Sequence, residues 1–192
     1  MNPMKWLSWL LILSGLAFVF FGAGKIFYTN YQTNQSIEEA KQRIEETVSA
    51  ETIGQERFVP KQGEVVGLLK IPRLQAELPI IEGTDEEELE KGVGHYKGSY
   101  YPNENGQIIL SGHRDTVFRK IGELEIGDQF IVEMPYGTFT YEMIKTKIVD
   151  ANDTSIITLQ NKYEELIVTT CYPFSYIGNA PERYIMYAKR VS

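Results

Sequence analysis

The sequence is short of the residues that cross-link chains or chelate metals. Among 192 residues there is one cysteine, Cys171, and there are two histidines, His95 and His113. A lone thiol closes no internal disulfide, and in an exported protein it stands out as reactive. So few histidines and cysteines also support a zinc cluster poorly. Positive charge is in deficit: 19 Lys and Arg face 26 Asp and Glu, for a formal net charge of −7. Nucleic-acid-binding domains carry a basic patch as their footprint, so this balance argues against one. Internal repeats and low-complexity segments are absent. The length suits one ordinary domain with appendages.

What the chain does have is a long apolar run near its start. Residues 6–24 carry no charge and as a helix would span ~28 Å, close to the thickness of a bilayer core. Trp6, Trp9, Phe27 and Tyr28 are placed to form interfacial belts. A cleaved signal peptide is the rival reading, but no convincing Ala-x-Ala-like site follows, which favours an uncleaved anchor. Lys5 precedes the run and Lys25 follows it, and the next basic residue, Lys41, lies beyond Glu38 and Glu39. The positive-inside rule mildly favours an internal amino terminus and an exported carboxyl-terminal domain. The expected organisation is an anchor over residues 1–28, a polar stalk over 29–62 and a globular domain over 63–192. Within the stalk, Ser36-Ile37-Glu38-Glu39 has the form of a capping box. Ile37, Ala40, Ile44 and Val48 then recur at helical spacing, with Glu39 and Arg43 able to pair. A short helix serving as a spacer is favoured over one that packs on the domain.

From Val65 onward the pattern is mostly β. Short apolar, β-branched runs are broken by Pro72 and Pro79. Thr84 followed by Glu87 looks like the start of a capped helix. Its acidic face is read as solvated rather than as a calcium loop, because it lacks an EF-hand pattern. Residues 107–111, 129–134, 138–149, 165–171 and 183–190 are further strands. In 129–134, Phe130, Val132 and Met134 alternate with Gln129, Ile131 and Glu133, as in a half-buried strand. Many short strands with few helices point to a closed barrel or a sandwich.

Three residues carry chemistry. Cys171 and His113 fall at predicted strand ends and Arg183 at a strand start, positions that can converge on one rim. A thiol is largely protonated at neutral pH and benefits from a nearby base or cation. Histidine moves protons in this range, and arginine stays charged and can donate to a developing oxyanion. The combination suits acyl transfer through a thioester. Spacing alone leaves two bland alternatives open: a buried structural thiol and a satisfied structural histidine.

The motifs around these residues resemble those of the sortases, the membrane-anchored cysteine transpeptidases of Gram-positive bacteria. The markers are Ser111-Gly112-His113-Arg114-Asp115-Thr116, then Thr170-Cys171-Tyr172-Pro173-Phe174, then Ala180-Pro181-Glu182-Arg183-Tyr184. Their detail is most similar to class D. One departure is visible: the family often reads Thr-Leu-x-Thr-Cys before the nucleophile, where this chain has Ile167-Val168-Thr169-Thr170-Cys171. The resemblance implies a closed eight-stranded β-barrel with short connecting helices, carrying the catalytic site in residues 63–192. It also implies a substrate: a secreted protein with a carboxyl-terminal sorting signal of the Leu-Pro-x-Thr-Gly type, cleaved after the threonine. Cys171 would be the nucleophile that forms the thioacyl enzyme. His113 would be the general acid/base, and Arg183 would steady the substrate carbonyl and its oxyanion. The acceptor would be an amine of a cell-wall precursor or another surface component.

Ser111, Thr170, Tyr172, Pro173 and His95 are further candidates for substrate contact, with a structural role favoured for His95. Asp115 is read as an orienting carboxylate or a turn residue. No cofactor or metal is expected, though stimulation by calcium or another divalent ion stays open. The expected location is the cell membrane, with one span and an extracellular catalytic domain. Two other functions compete: a hydrolytic cysteine peptidase using the same site, and a non-enzymatic, membrane-tethered binding module.

Overall fold

The structure is a computed structural model that describes residues 3–49, 58–176 and 178–191. It opens with a long helix, α1 (Pro3–Ser49). The barrel strands follow: β1 (Val65–Ile71), β2 (Ala76–Glu82), β3 (Val93–His95), β4 (Gln107–Ser111), β5 (Gln129–Met134), β6 (Gly137–Asp150), β7 (Glu165–Tyr172) and β8 (Glu182–Arg190). A short helix, α2 (Glu86–Lys91), lies between β2 and β3. Their order around the closed barrel is β1-β2-β3-β4-β7-β8-β6-β5. Closure comes from antiparallel pairing of β1 with β5, where Leu69 faces Val132. Two pairs are parallel, β2 with β3 and β4 with β7. Closure gives every strand a neighbour on both sides over at least part of its length, which limits the open sheet edge.

The barrel interior is filled from every strand. Leu69, Ile80, Ile108, Phe130, Tyr141, Leu166 and Met186 are all buried in one cluster. Strand β5 alternates as its sequence predicts, with Phe130, Val132 and Met134 inward. The apolar runs of β1 and β7 do not alternate, because both of their faces are covered. On β1, Val66, Leu69 and Ile71 fill the interior while Val65 and Leu68 pack outward with Ala40 of α1. On β7, Leu166 and Val168 point in, while Ile167 joins an outer cluster with Ile109 and Ile185. The β6–β7 loop covers that outer cluster with Ile156 and Ile157.

Two helix starts differ from their sequence expectation. No helix begins at Ser36: α1 runs through it unbroken, and Ser36 is buried against the barrel. No proline interrupts residues 4–59 to end the apolar run's helix, so the Ser-x-x-Glu pattern never meets a free helix end. Nor is this stretch a free spacer. Ala40 is 1% exposed, and Ile37 and Ile44 pack with it on Val65, Leu68 and Ile81. Lys41 pairs with Glu77 at 3.0 Å. Arg43 bridges Glu39 and Glu64. Part of the expected stalk, residues 50–57, lies outside the described residues. At α2 the capping box sits one residue later than expected. Asp85 is the cap, and the Glu88 carboxylate accepts its backbone N–H at 3.1 Å. Glu88 is buried, so the acidic first turn is not wholly a solvated face.

Candidate active site

Strands β4 and β7 run parallel, so both carry their chains toward the same barrel rim. Ser111 at the end of β4 stands beside Thr169 of β7. Beyond that pair the two strands stay joined. The Gly112 N–H donates to Thr169 O at 3.1 Å, and the buried Thr170 hydroxyl donates back to Gly112 O at 2.7 Å. Gly112 is required by packing: a Cβ here would stand 2.5 Å from the ring of buried Phe118. The next residue on each chain is His113 and Cys171. Strand β8 returns antiparallel to β7 and places Arg183 directly across from Cys171. The rim therefore gathers thiol, imidazole and guanidinium because of strand pairing, not because they are close in sequence.

All three line one groove of about 410 Å³. Ser111 and Thr170 line its floor. One wall comes from Thr84 and Leu89, at the start and on the body of α2. The other comes from the β6–β7 loop, where Asp153, Thr154, Ile156 and Ile157 face the groove. Ile156 and Ile157 also belong to the outer cluster on β4, β7 and β8, so the barrel supports this wall. The Cys171 thiol is free and half-buried. Among the described residues no hydrogen bond holds the His113 ring. The Arg183 guanidinium donates through Nη1 to Ala180 O at 3.2 Å and Glu182 O at 3.0 Å. It keeps donors to spare and a charge that does not titrate near neutrality. A half-buried thiol facing a fixed cation and an untethered imidazole has the parts for nucleophilic acyl transfer.

The remaining candidates lie elsewhere. Tyr172 and Pro173 are not among the groove's lining residues. Tyr172 instead packs its ring 5.1 Å from Phe174 and 6.0 Å from Tyr184, beside the groove. His95 is buried under the opposite face of β3, in a closed polar network. Its Nδ1 lies 2.6 Å from the Glu82 carboxylate, and its Nε2 lies 3.0 Å from Tyr100 O and 2.9 Å from the Ser99 hydroxyl. Tyr101 stacks on the imidazole at 4.0 Å and donates its hydroxyl to Glu82. Burial pushes the Glu82 carboxyl pKa up, but hydrogen bonds from His95 and Tyr101 outweigh it and hold the carboxyl below its ordinary range. Burial and the Glu82 charge together drive the Tyr101 phenol far above its ordinary value. Serine, histidine and glutamate in this sequence of contacts look like a hydrolytic relay. Yet Ser99 Oγ accepts the Ile109 N–H at 3.3 Å and lines no described groove. The network is a satisfied part of the barrel wall.

Sequence reasoning missed the two groove walls and Arg114. The Ile156-Ile157 pair within a polar stretch was the one signal for the loop wall. Asp115 proves largely exposed, and its backbone carbonyl accepts Arg119. No group of three or more His, Cys, Asp or Glu that could hold a metal ion occurs among the described residues.

Comparison with known proteins agrees with this architecture. A model of the sortase domain matches residues 69–191. The chain is 56% identical over 190 residues to sortase D of Bacillus subtilis, covering 95% of this chain and 96% of that one. Among solved structures, a Clostridium perfringens sortase D5 transpeptidase is similar at a TM-score of 0.70 and 26% identity, over 84% of this chain and 99% of that chain. The catalytic domain of Bacillus anthracis SrtD is similar at a TM-score of 0.60 and 39% identity, over 74% and 97% of the two chains.

Proposed function

This chain belongs to the sortase family of cysteine transpeptidases, and on that premise we propose a substrate, an acceptor and a division of labour for it. The substrate is a secreted protein whose carboxyl-terminal sorting signal has the Leu-Pro-x-Thr-Gly form. Cys171 Sγ attacks the threonine carbonyl, and the electron pair moves onto the carbonyl oxygen, where Arg183 donates to the oxyanion. His113 protonates the departing amine as the peptide bond breaks. The thioacyl enzyme then meets an amine of a cell-wall precursor or another surface component. His113 takes the proton from that amine as it attacks, and the thiolate leaves. These steps call for no cofactor.

The observation that carries this reading is that Cys171, His113 and Arg183 line one groove, with Cys171 and Arg183 as direct cross-strand partners. The half-buried thiol serves the chemistry, since access for a peptide is needed together with partial exclusion of water. The apolar, exposed first part of α1 supports membrane anchoring, and our proposal puts the barrel on the outer side.

The full chain in detergent micelles, given a sorting-signal peptide and an amine such as triglycine, should yield the joined product by mass spectrometry. Cys171→Ala should abolish joining, and retained joining in that variant would sink the mechanism. Product that is only free acid, with amine present, would make the chain a hydrolase instead. Labelling of Cys171 in intact cells by a membrane-impermeant maleimide tests the orientation.

A further inference from the structure

Arg114 follows the groove histidine directly, yet it turns away from solvent: its side chain is 5% exposed. Its guanidinium forks between two backbone carbonyls. Nη1 donates to Pro173 O at 3.2 Å and Nη2 to Gly178 O at 2.8 Å. Those carbonyls stand near the start and just past the middle of the loop that separates Cys171 from Arg183. Countercharge is thin. Asp115 lies 3.4 Å from Nε but its side chain is 73% exposed, so water screens the pair. The Tyr176 ring is 6.0 Å from Cζ, at the limit of cation–π range. A buried cation with little countercharge is costly unless hydrogen-bonded. Here the bonds go to a loop, and a rigid planar fork suits two separated acceptors where an ammonium does not.

The placement of these bonds is specific. Gly112, just before His113, is tied to Thr169 and Thr170, just before Cys171. Arg114, just after His113, is tied to Pro173, shortly after Cys171. His113 and Cys171 are therefore bracketed on both sides by contacts between their own two chain segments. We propose that Arg114 is a positioning residue that latches the Cys171–Arg183 loop to the His113 loop and so sets the spacing of the three groups. The proposal rests on reading those three as the reacting groups. Arg114 itself lines no part of the groove. Its effect passes through the backbone that carries its neighbours.

The test compares the full chain in detergent with its Arg114→Gln and Arg114→Lys variants. Three quantities are read: transfer kinetics, alkylation of Cys171 by iodoacetamide, and hydrogen exchange of loop amides 174–176. The Gln variant should lose on the order of 100-fold in kcat, the size expected when reacting groups move by about an ångström. KM for the peptide should stay within about threefold, since the groove walls are untouched. Loop amides should exchange faster while β4, β7 and β8 amides stay protected, which a general loss of stability would not produce. The Lys variant, which keeps the charge but not the fork, should recover only part of kcat. Parent-level kcat or unchanged loop exchange in the Gln variant overturns the latch. Should that variant unfold, full activity and unchanged loop exchange in the Lys variant overturn it, and partial loss with faster loop exchange supports it. A parent protein that joins no peptide defeats the functional reading. Alkylation and loop exchange still report on the latch in that case.

Discussion

The two histidines of this chain sit in opposite circumstances. His95 is 1% exposed, and both of its ring nitrogens are occupied, one by Glu82 and the other by Tyr100 O and Ser99. His113 is half-buried at the groove, and its ring has no hydrogen bond among the described residues. An imidazole with both nitrogens engaged cannot trade protons with a substrate, and one left open at a groove can. The same side chain thus completes the wall in one place and stands open to the groove in the other. Strand geometry decides which: His95 ends a strand whose face is covered by Tyr101, while His113 lies beyond the last paired residue of its strand.

Exchanging the losses breaks or sharpens that contrast. His113→Asn should lower the transfer rate by roughly 10²- to 10⁴-fold, the usual worth of a positioned acid/base, with the thermal midpoint nearly unchanged. His95→Ala should do the reverse. It leaves the buried Glu82 carboxylate with the Tyr101 hydroxyl but without its imidazole partner, and losing one partner of a buried pair costs about 3–5 kcal/mol, readable by denaturant unfolding with circular dichroism. Transfer at a temperature where the variant is still folded should change little. A large catalytic loss in the folded His95 variant would erase the distinction.

The same buried pair gives a pH dependence. The Glu82 carboxyl is held below its ordinary range. Its contribution to stability is therefore full above the unfolded-state pKa near ~4.3 and is lost as pH falls through the lower folded value. Acid titration of the thermal midpoint should show a decline beginning below about pH 4.3. The decline should be shallower in Glu82→Gln. Some slope should persist, because Glu64 and Glu77 are also held low. For Glu64 the causes are the Lys61 backbone N–H and then Arg43; for Glu77 the chief cause is Lys41. The smallest effect is expected at the helix–barrel seam. Arg43→Ala removes partly exposed ion pairs with Glu39 and Glu64 and should cost only about 0.2–1 kcal/mol in denaturant unfolding.

Much of the fold was legible because its strands are short, apolar and bounded by turn residues. Strand β5 even announced which face is buried. What stayed hidden depended on pairing. Strand β3, Val93–His95, is too short and too glycine-bearing to signal itself, and it exists because β2 and β4 hold it on both sides. The packed half of α1 read as a spacer because its apolar stripe is narrow. Only the outward side chains Val65 and Leu68 of β1 reveal what that stripe covers. Within the groove, Cys171, His113 and Arg183 stood out as candidates through local motifs, whereas the walls come from residues distant in sequence. Leu89 and Ile157 carry no chemical label and acquire a role only when the barrel brings them to one rim. Arg114 sits inside a legible motif, but its partners are backbone carbonyls, which have no sequence signature.

The unbroken course of α1 has a mechanical consequence. A disordered linker would act as a leash and let the barrel roam over a hemisphere of positions. A helix that carries the apolar run at one end and is seated on β1 and β2 at the other behaves as a mast. From Lys25 to Ala40 it rises ~23 Å, and the seating also sets which way the barrel faces. With the apolar run set in a bilayer, the groove would be held at one height and one bearing relative to it. On the proposed function, a substrate tethered in that same bilayer would arrive at the groove's height already, and the encounter would become a search in two dimensions rather than three.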